Sequence, residues 1–177
     1  LTRPTLLSVG HLIRRKGHDL VIEAIQNIPG IQLVIAGEGP ERHALREKAE
    51  QCGVSERVTM LGQVDHAALK NYYGAADALV LASSREGWAN VFLEAMACGT
   101  PVVASRIWGT PEVVAAPEAG RLVERSPEAI ATGIKALLSD YPDRRKTRSY
   151  AERFSWDETT DGQLRLFHSI LGRNVPA

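Results

Sequence analysis

Ser83–Ser105 reads S-S-R-E-G-W-A-N-V-F-L-E-A-M-A-C-G-T-P-V-V-A-S, and this stretch decides the fold. The apolar run Ala78–Ala82 leads into it and fits a buried strand. A polar loop follows with Glu86 and Gly87, then Asn90 as a candidate N-cap and a short helix over Val91–Cys98. Gly99 closes that helix, Pro101 follows, and Val102–Ala104 opens another strand at once. The order is strand, loop, helix, strand, with one carboxylate in the loop and another, Glu94, in the first turns of the helix.

In open α/β sheets ligands bind beyond the carboxyl ends of the strands, where loops enter helix N-termini. Free amides of Ala89, Asn90 and Val91 would suit a phosphate there, helped by the helix dipole. Glu94 is placed to accept from hydroxyls such as a ribose diol, and Glu86 from a different part of the ligand. Two carboxylates around an anion site suit a nucleotide sugar, which carries diols at both ends of a diphosphate. A plainer account also fits the spacing. An acid near a helix N-terminus gains about 0.3–1 kcal/mol from the dipole without any function, and a loop glutamate is simply solvated. Spacing alone leaves both open.

The same alternation runs outward in both directions. Thr5–Gly10 reads as a buried strand, followed by the basic loop H-L-I-R-R-K-G and an amphipathic helix over Asp19–Ile28. Arg15 and Lys16 would then stand at the carboxyl end of the first strand, on the same side as Glu86. At an effective dielectric near 20, opposite charges ~4 Å apart attract by about 4 kcal/mol before desolvation, so a lysine there could hold a diphosphate. A solvated basic loop is the alternative. Gln32–Ala36 is a second strand ending in G-E-G-P, which is no dinucleotide fingerprint. Helix Glu41–Cys52, strand Arg57–Leu61 and helix His66–Ala75 with Asp65 as cap follow. Beyond Ala104, Gly109-Thr110-Pro111-Glu112 starts a helix, Gly120–Val123 a last strand, and Ser126-Pro127 a helix to about Ser139. Asp143–Leu171 reads as helices broken near Phe154-Ser155-Trp156. Strand and helix alternate throughout, which predicts a single doubly wound, Rossmann-like parallel sheet of about six strands with helices on both faces. Residues 1–177 are expected to form one domain.

The 177 residues carry 21 basic and 21 acidic side chains, so no global field draws the chain to nucleic acid or an anionic membrane. The basic run Arg144–Arg148 fits a solvated helix face. Cys52 and Cys98 read as two reduced thiols of a cytoplasmic protein. No signal peptide and no apolar run near 18 residues occurs, so no spanning segment is expected. Five separated histidines offer no metal pair. The chain starts at Leu1 with a strand almost immediately, as a fragment whose preceding domain is missing would.

Taken together these residues resemble the C-terminal, donor-binding half of a retaining GT-B glycosyltransferase of family 4. Glu86 and Glu94 match that family's E-x7-E motif. The resemblance extends to S-V-G-x5-K-G at the first loop, A-G-E-G-P after the second strand, L-G-Q-V after the third, and G-T-P-E near Glu112. It implies a UDP- or GDP-sugar donor with no cofactor, and the absence of D-x-D agrees with metal-independent transfer. Glu94 would bind the ribose, and Glu86 would orient the transferred sugar together with Trp88. Ala89, Asn90 and Val91 would hold the diphosphate or sugar through their amides. Gln63 and Val64 would lie near the base. Gly10, His11, Arg15 and Lys16 would form the phosphate clamp, with Lys16 neutralising the leaving diphosphate. Glu86 and Lys16 are thus the catalytic candidates. The family usually has Arg where this chain has His11, and a neutral imidazole carries no fixed charge. Arg14 or Arg15 could stand in.

The resemblance also implies that the acceptor site belongs to an absent N-terminal domain. Helices over about 143–172 would pack back toward it, with Trp156 at the junction or in the core. The acceptor would be a glycan, a lipid or a small molecule, as in polysaccharide biosynthesis. The full-length protein would be cytoplasmic, with peripheral association at the inner face of the membrane compatible with such acceptors. Two other classes fit the same residues: a nucleotide-sugar epimerase of this fold, and a non-catalytic nucleotide-binding module.

Overall fold

Successive residues of strand β1 (Thr5–Val9) divide between two cores, Leu6 facing one and Leu7 and Val9 the other. That is the period-two alternation of a strand buried on both faces. The computed structural model describes residues 3–171 and shows six such strands. After β1 come β2 (Gln32–Ala36), β3 (Val58–Gly62), β4 (Ala78–Leu81), β5 (Val102–Ser105) and β6 (Gly120–Val123). They form one sheet in the order β3-β2-β1-β4-β5-β6, every neighbour parallel.

Helices cover both faces, as a parallel sheet requires. On one side α1 (His18–Gln26) packs between α2 (Arg42–Gln51) and α6 (Pro127–Ser139), burying Val21, Ile22, Ile25, Leu45, Ile130 and Ile134. On the other, α4 (Asn90–Ala97) lies between α3 (His66–Ala75) and α7 (Arg144–Ala151), burying Phe92, Met96, Tyr73 and Tyr150. A four-residue helix α5 (Thr110–Val113) and the long α8 (Trp156–Ile170) complete the chain. The doubly wound architecture is therefore the one the alternation predicted. The expected segment ending at 172 and the termini at 1–2 and 172–177 reach outside the described residues.

Sequence signals placed most boundaries within two residues. Ser126 accepts from the Ala129 amide at 3.2 Å and caps α6, with Pro127 opening the helix as read. Three expectations need correction. Asp65 stands at the N-cap of α3 but makes no side-chain cap bond. The basic run Arg144–Arg148 is only partly a solvated face, because Arg144 turns inward. It donates to the carbonyls of Gly74 and Ala76 at 2.8 and 2.9 Å and to the Thr100 hydroxyl at 2.7 Å, closing the end of α3. Trp156 does not enter the core, being 78% exposed at the start of α8. That helix also leaves Leu164, Leu166, Phe167 and Ile170 exposed. No helix among the described residues is long and apolar enough to cross a membrane.

Candidate functional site

The strand order reverses direction between β1 and β4, the switch point where a doubly wound sheet has its crevice, and the loops leaving those two strands face each other there. The β1 loop makes a short turn over Arg14–Lys16 and ends at Gly17, with φ of 69°. A Cβ on Gly17 would come within 2.1 Å of the Ala82 carbonyl, so only glycine lets the two loops meet this closely. The Ser84 amide donates to the Arg15 carbonyl at 2.8 Å, a second tie between them. Arg125 Nε donates to the Ala82 carbonyl at 2.8 Å, and Ser105 Oγ to the Ser83 carbonyl at 2.6 Å. The loop carrying Glu86 is thereby fixed at its root by the loop after β1, by the end of β5 and by Arg125 beyond β6.

Across this crevice Lys16 Nζ stands 2.6 Å from Glu86 Oε1, and Ser83 Oγ donates to the same oxygen at 2.7 Å. Both side chains are largely buried, at 16% and 10% exposure. The Lys16 stem runs over Gly10, where a Cβ would lie 3.5 Å from it. Lysine has three donors, and only one is used within the described residues, so two remain for an anion. His11 is exposed on the same loop, and Arg15 points outward. Arg14 makes a long 3.9 Å pair with Glu41.

Glu94 occupies the second turn of α4. Tyr73 donates to its Oε2 at 2.9 Å, and His66 Nε2 lies 3.6 Å from its Oε1. Burial first, then the Glu94 charge, push the Tyr73 hydroxyl well above its ordinary range, so it stays a proton donor. Between the ends of β1, β2 and β3 a cavity of about 150 Å³ is lined by Gly10, Gly37, Gln63, Val64 and Leu69. Gln63 and Val64 were expected near a base, and the structure gives them this flat, largely apolar slot.

The entry to α4 differs from expectation. Ala89 is the N-cap rather than Asn90, and it offers no side-chain bond. The Asn90 amide is not free, since it donates to the Trp88 carbonyl at 3.1 Å, and Phe92 donates to Ala89 at 2.9 Å. The amides of Ala89 and Val91 have no backbone acceptor among the described residues. The Trp88 ring packs edge-on against Phe154, 6.0 Å between centroids. It helps line a cavity of about 340 Å³ with Asn90, Leu93, Arg153 and Trp156.

Sequence reading missed several residues around the site. Ser83 and Tyr73, which orient the two glutamates, carry no motif of their own: Ser83 opens the polar loop after β4, and Tyr73 lies in α3. His18 is 2% exposed at the start of α1 and bonds Ser8 Oγ through Nδ1 at 2.9 Å. Burial lowers its pKa from the ordinary value near 6.5 to about 4, so the ring is neutral. Its partner Ser8 is a buried polar residue between the apolar Leu7 and Val9 of β1. No group of three His, Cys, Asp or Glu that could hold a metal occurs among the described residues.

Comparison with known proteins gives this arrangement a family. The model for glycosyl transferases group 1 matches residues 1–154. D-inositol 3-phosphate glycosyltransferase of Segniliparus rotundus is 35% identical over 177 residues, covering 92% of this chain and 39% of that protein. GDP-mannose-dependent alpha-(1-6)-phosphatidylinositol monomannoside mannosyltransferase of Mycobacterium tuberculosis is 36% identical over 150 residues, covering 78% of this chain and 39% of its own length. Among solved structures, sucrose-phosphate synthase from Thermosynechococcus elongatus superposes with a TM-score of 0.85 at 32% identity, over 96% of this chain and 46% of that one. The chain thus spans less than half the length of these relatives. A parallel sheet with a lysine–glutamate pair across its switch point, matched over most of its length by such sequences, belongs to the glycosyl transferases group 1 family.

Proposed function

We propose that residues 1–177 form the donor-binding domain of a metal-independent, retaining glycosyltransferase that takes a UDP- or GDP-sugar and needs no cofactor. The observation that carries this reading is the Lys16–Glu86 pair at the switch point, flanked by a base-sized slot on one side and two unengaged amides on the other. The nucleotide would lie with its base between Gly37, Gln63 and Val64 and its ribose diol on Glu94. The diphosphate would meet Lys16, and the sugar hydroxyls would meet Glu86. The name of the mycobacterial relative, which specifies GDP-mannose, supports a nucleotide-sugar donor.

In the transfer the bond from the anomeric carbon to the diphosphate oxygen breaks, an acceptor hydroxyl oxygen bonds to that carbon on the same face, and its proton leaves with the diphosphate. Negative charge gathers on the leaving phosphate, and Lys16 is the cation in reach of it. Glu86 holds the lysine in place through Oε1 and keeps its other oxygen for the sugar. The acceptor, whether glycan, lipid or small molecule, would enter from a preceding domain, and the exposed apolar side chains of α8 fit a surface that such a domain covers. The full-length enzyme would work in the cytoplasm, alone or at the membrane face.

The test is to incubate the full-length protein with UDP- and GDP-sugars and follow free nucleotide. Release of UDP or GDP that Glu86→Gln abolishes supports transfer. An isomerised nucleotide sugar without release marks an epimerase, and binding without turnover marks a non-catalytic module. His11→Arg adds a fixed charge to the clamp and is expected to tighten nucleotide binding by about 0.5–1 kcal/mol, less at high salt.

A further inference from the structure

Trp108, in the loop between β5 and α5, has φ of 38° and is the only non-glycine residue with positive φ among those described. Left-handed backbone is unfavourable for a bulky aromatic residue, and glycine adopts it freely. Burial does not compensate, because Trp108 is 68% exposed. Its ring instead carries the Arg85 guanidinium, whose carbon stands 5.0 Å from the centroid. Strain of this kind clusters at ligand sites.

The Trp108 loop is held against the Glu86 loop. A Cβ on Gly109 would come within 2.4 Å of the Gly87 carbonyl, so the two backbones touch. Thr110 Oγ1 lies 3.0 Å from the Ile107 amide and 2.8 Å from the Ser105 carbonyl, closing the turn that presents Trp108. Arg85 directly precedes Glu86, is exposed, and has no hydrogen bond or ion pair among the described residues. Its donors are therefore available.

The sheet order gives this platform a place in the site. The base-sized slot lies at the ends of β1, β2 and β3, the Lys16–Glu86 pair spans β1 and β4, and Trp108 stands beyond the end of β5. A nucleotide sugar with its base in the slot and its diphosphate on Lys16 points its sugar toward β5. We infer that Trp108 and Arg85 form the wall that selects the transferred hexose. The indole takes the C–H face of the pyranose ring, and the guanidinium takes hydroxyls at the ring edge. This inference rests on the donor-site reading above.

The experiment is calorimetric titration of the full-length protein with UDP, GDP, UDP-glucose, UDP-galactose, UDP-N-acetylglucosamine and GDP-mannose. It compares the native protein with Trp108→Gly, Trp108→Phe and Arg85→Gln. Affinity for the bare nucleotide should stay within about twofold in the Trp108 variants, because the base slot lies at the ends of β1, β2 and β3 and Trp108 beyond β5. The tightest nucleotide sugar should weaken about fivefold to tenfold in Trp108→Gly and recover in Trp108→Phe. Arg85→Gln should flatten the differences among sugars. Glycine suits the left-handed backbone, so the melting temperature of Trp108→Gly should not fall. Unchanged nucleotide-sugar affinity in Trp108→Gly overturns the platform, and so does equal weakening of bare nucleotide. If the native protein binds no nucleotide at all, the donor-site reading fails, and the platform with it.

Discussion

Lys16 and Glu86 are 70 positions apart in sequence, yet their charged atoms meet at 2.6 Å across the switch point of the sheet. Each neutralises the other in a crevice that solvent barely reaches. The pair therefore stabilises the ligand-free molecule and, on the proposed reading, holds a cation where the diphosphate of a donor would meet it.

Removing either partner leaves a largely buried charge alone. Lys16→Met and Glu86→Gln are each expected to cost about 2–4 kcal/mol in urea denaturation. The double variant should lose less than the sum of the two. Strict additivity would mean that the two groups do not support each other.

Glu94 is held by Tyr73 on one side and approached by His66 on the other. Glu94→Ala should weaken nucleotide binding by roughly 1.5–3 kcal/mol, the same for a bare nucleotide and its sugar. Tyr73→Phe removes one hydrogen bond and should lower stability by about 1 kcal/mol, with a smaller loss of nucleotide affinity. A Glu94→Ala loss confined to nucleotide sugars would move Glu94 from the ribose to the hexose.

His18 makes the fold sensitive to acid. In the unfolded chain it takes up a proton below about pH 6.5, but in the folded protein burial holds it neutral down to about pH 4. The unfolded state thus binds more protons in this window. Its contribution is fully present above pH 6.5 and is lost as pH falls toward 4, by roughly 3 kcal/mol in total. Denaturation midpoints of the native protein and His18→Gln, followed across that range, should diverge accordingly. Parallel curves would show that another group drives the acid loss.

Arg144 serves as a C-terminal clasp for α3 through the Gly74 and Ala76 carbonyls. Arg144→Lys keeps the charge but cannot span these acceptors with a planar fork, so it should recover little of the stability lost in Arg144→Ala. The loss for alanine is expected near 2–3 kcal/mol by thermal denaturation. Full rescue by lysine would show that charge alone is at work.

Local chemistry made most of the fold legible. Runs such as Leu79–Leu81 and Val102–Ala104 are buried on both faces and so read as unbroken apolar strands. Ser126-Pro127 announces α6, and the alternation of such strands with helices leaves a parallel sheet as the consistent arrangement. Glu86, Glu94 and Lys16 stood out through the E-x7-E and S-V-G-x5-K-G patterns of the family the chain resembles, since spacing alone left a purely structural account of each open. Asn90 misled because a good capping residue outranks alanine, whereas the turn after Trp88 places Ala89 at the cap.

The sequence by itself determined the class of the sheet, the edge where loops run from strand ends into helices, and the two glutamates on one loop and its helix. Each of these depends on contacts within a few residues or on a simple period. Only the tertiary structure decided that Lys16 pairs with Glu86, that Ser83 and Tyr73 orient the two glutamates, and that the Trp108 ring stacks under Arg85. Apart from Ser83 and Glu86, which share one loop, those relations join elements that are distant in sequence. Their partners are set by the strand order, which places β1 beside β4 and β4 beside β5, and no local pattern encodes that order.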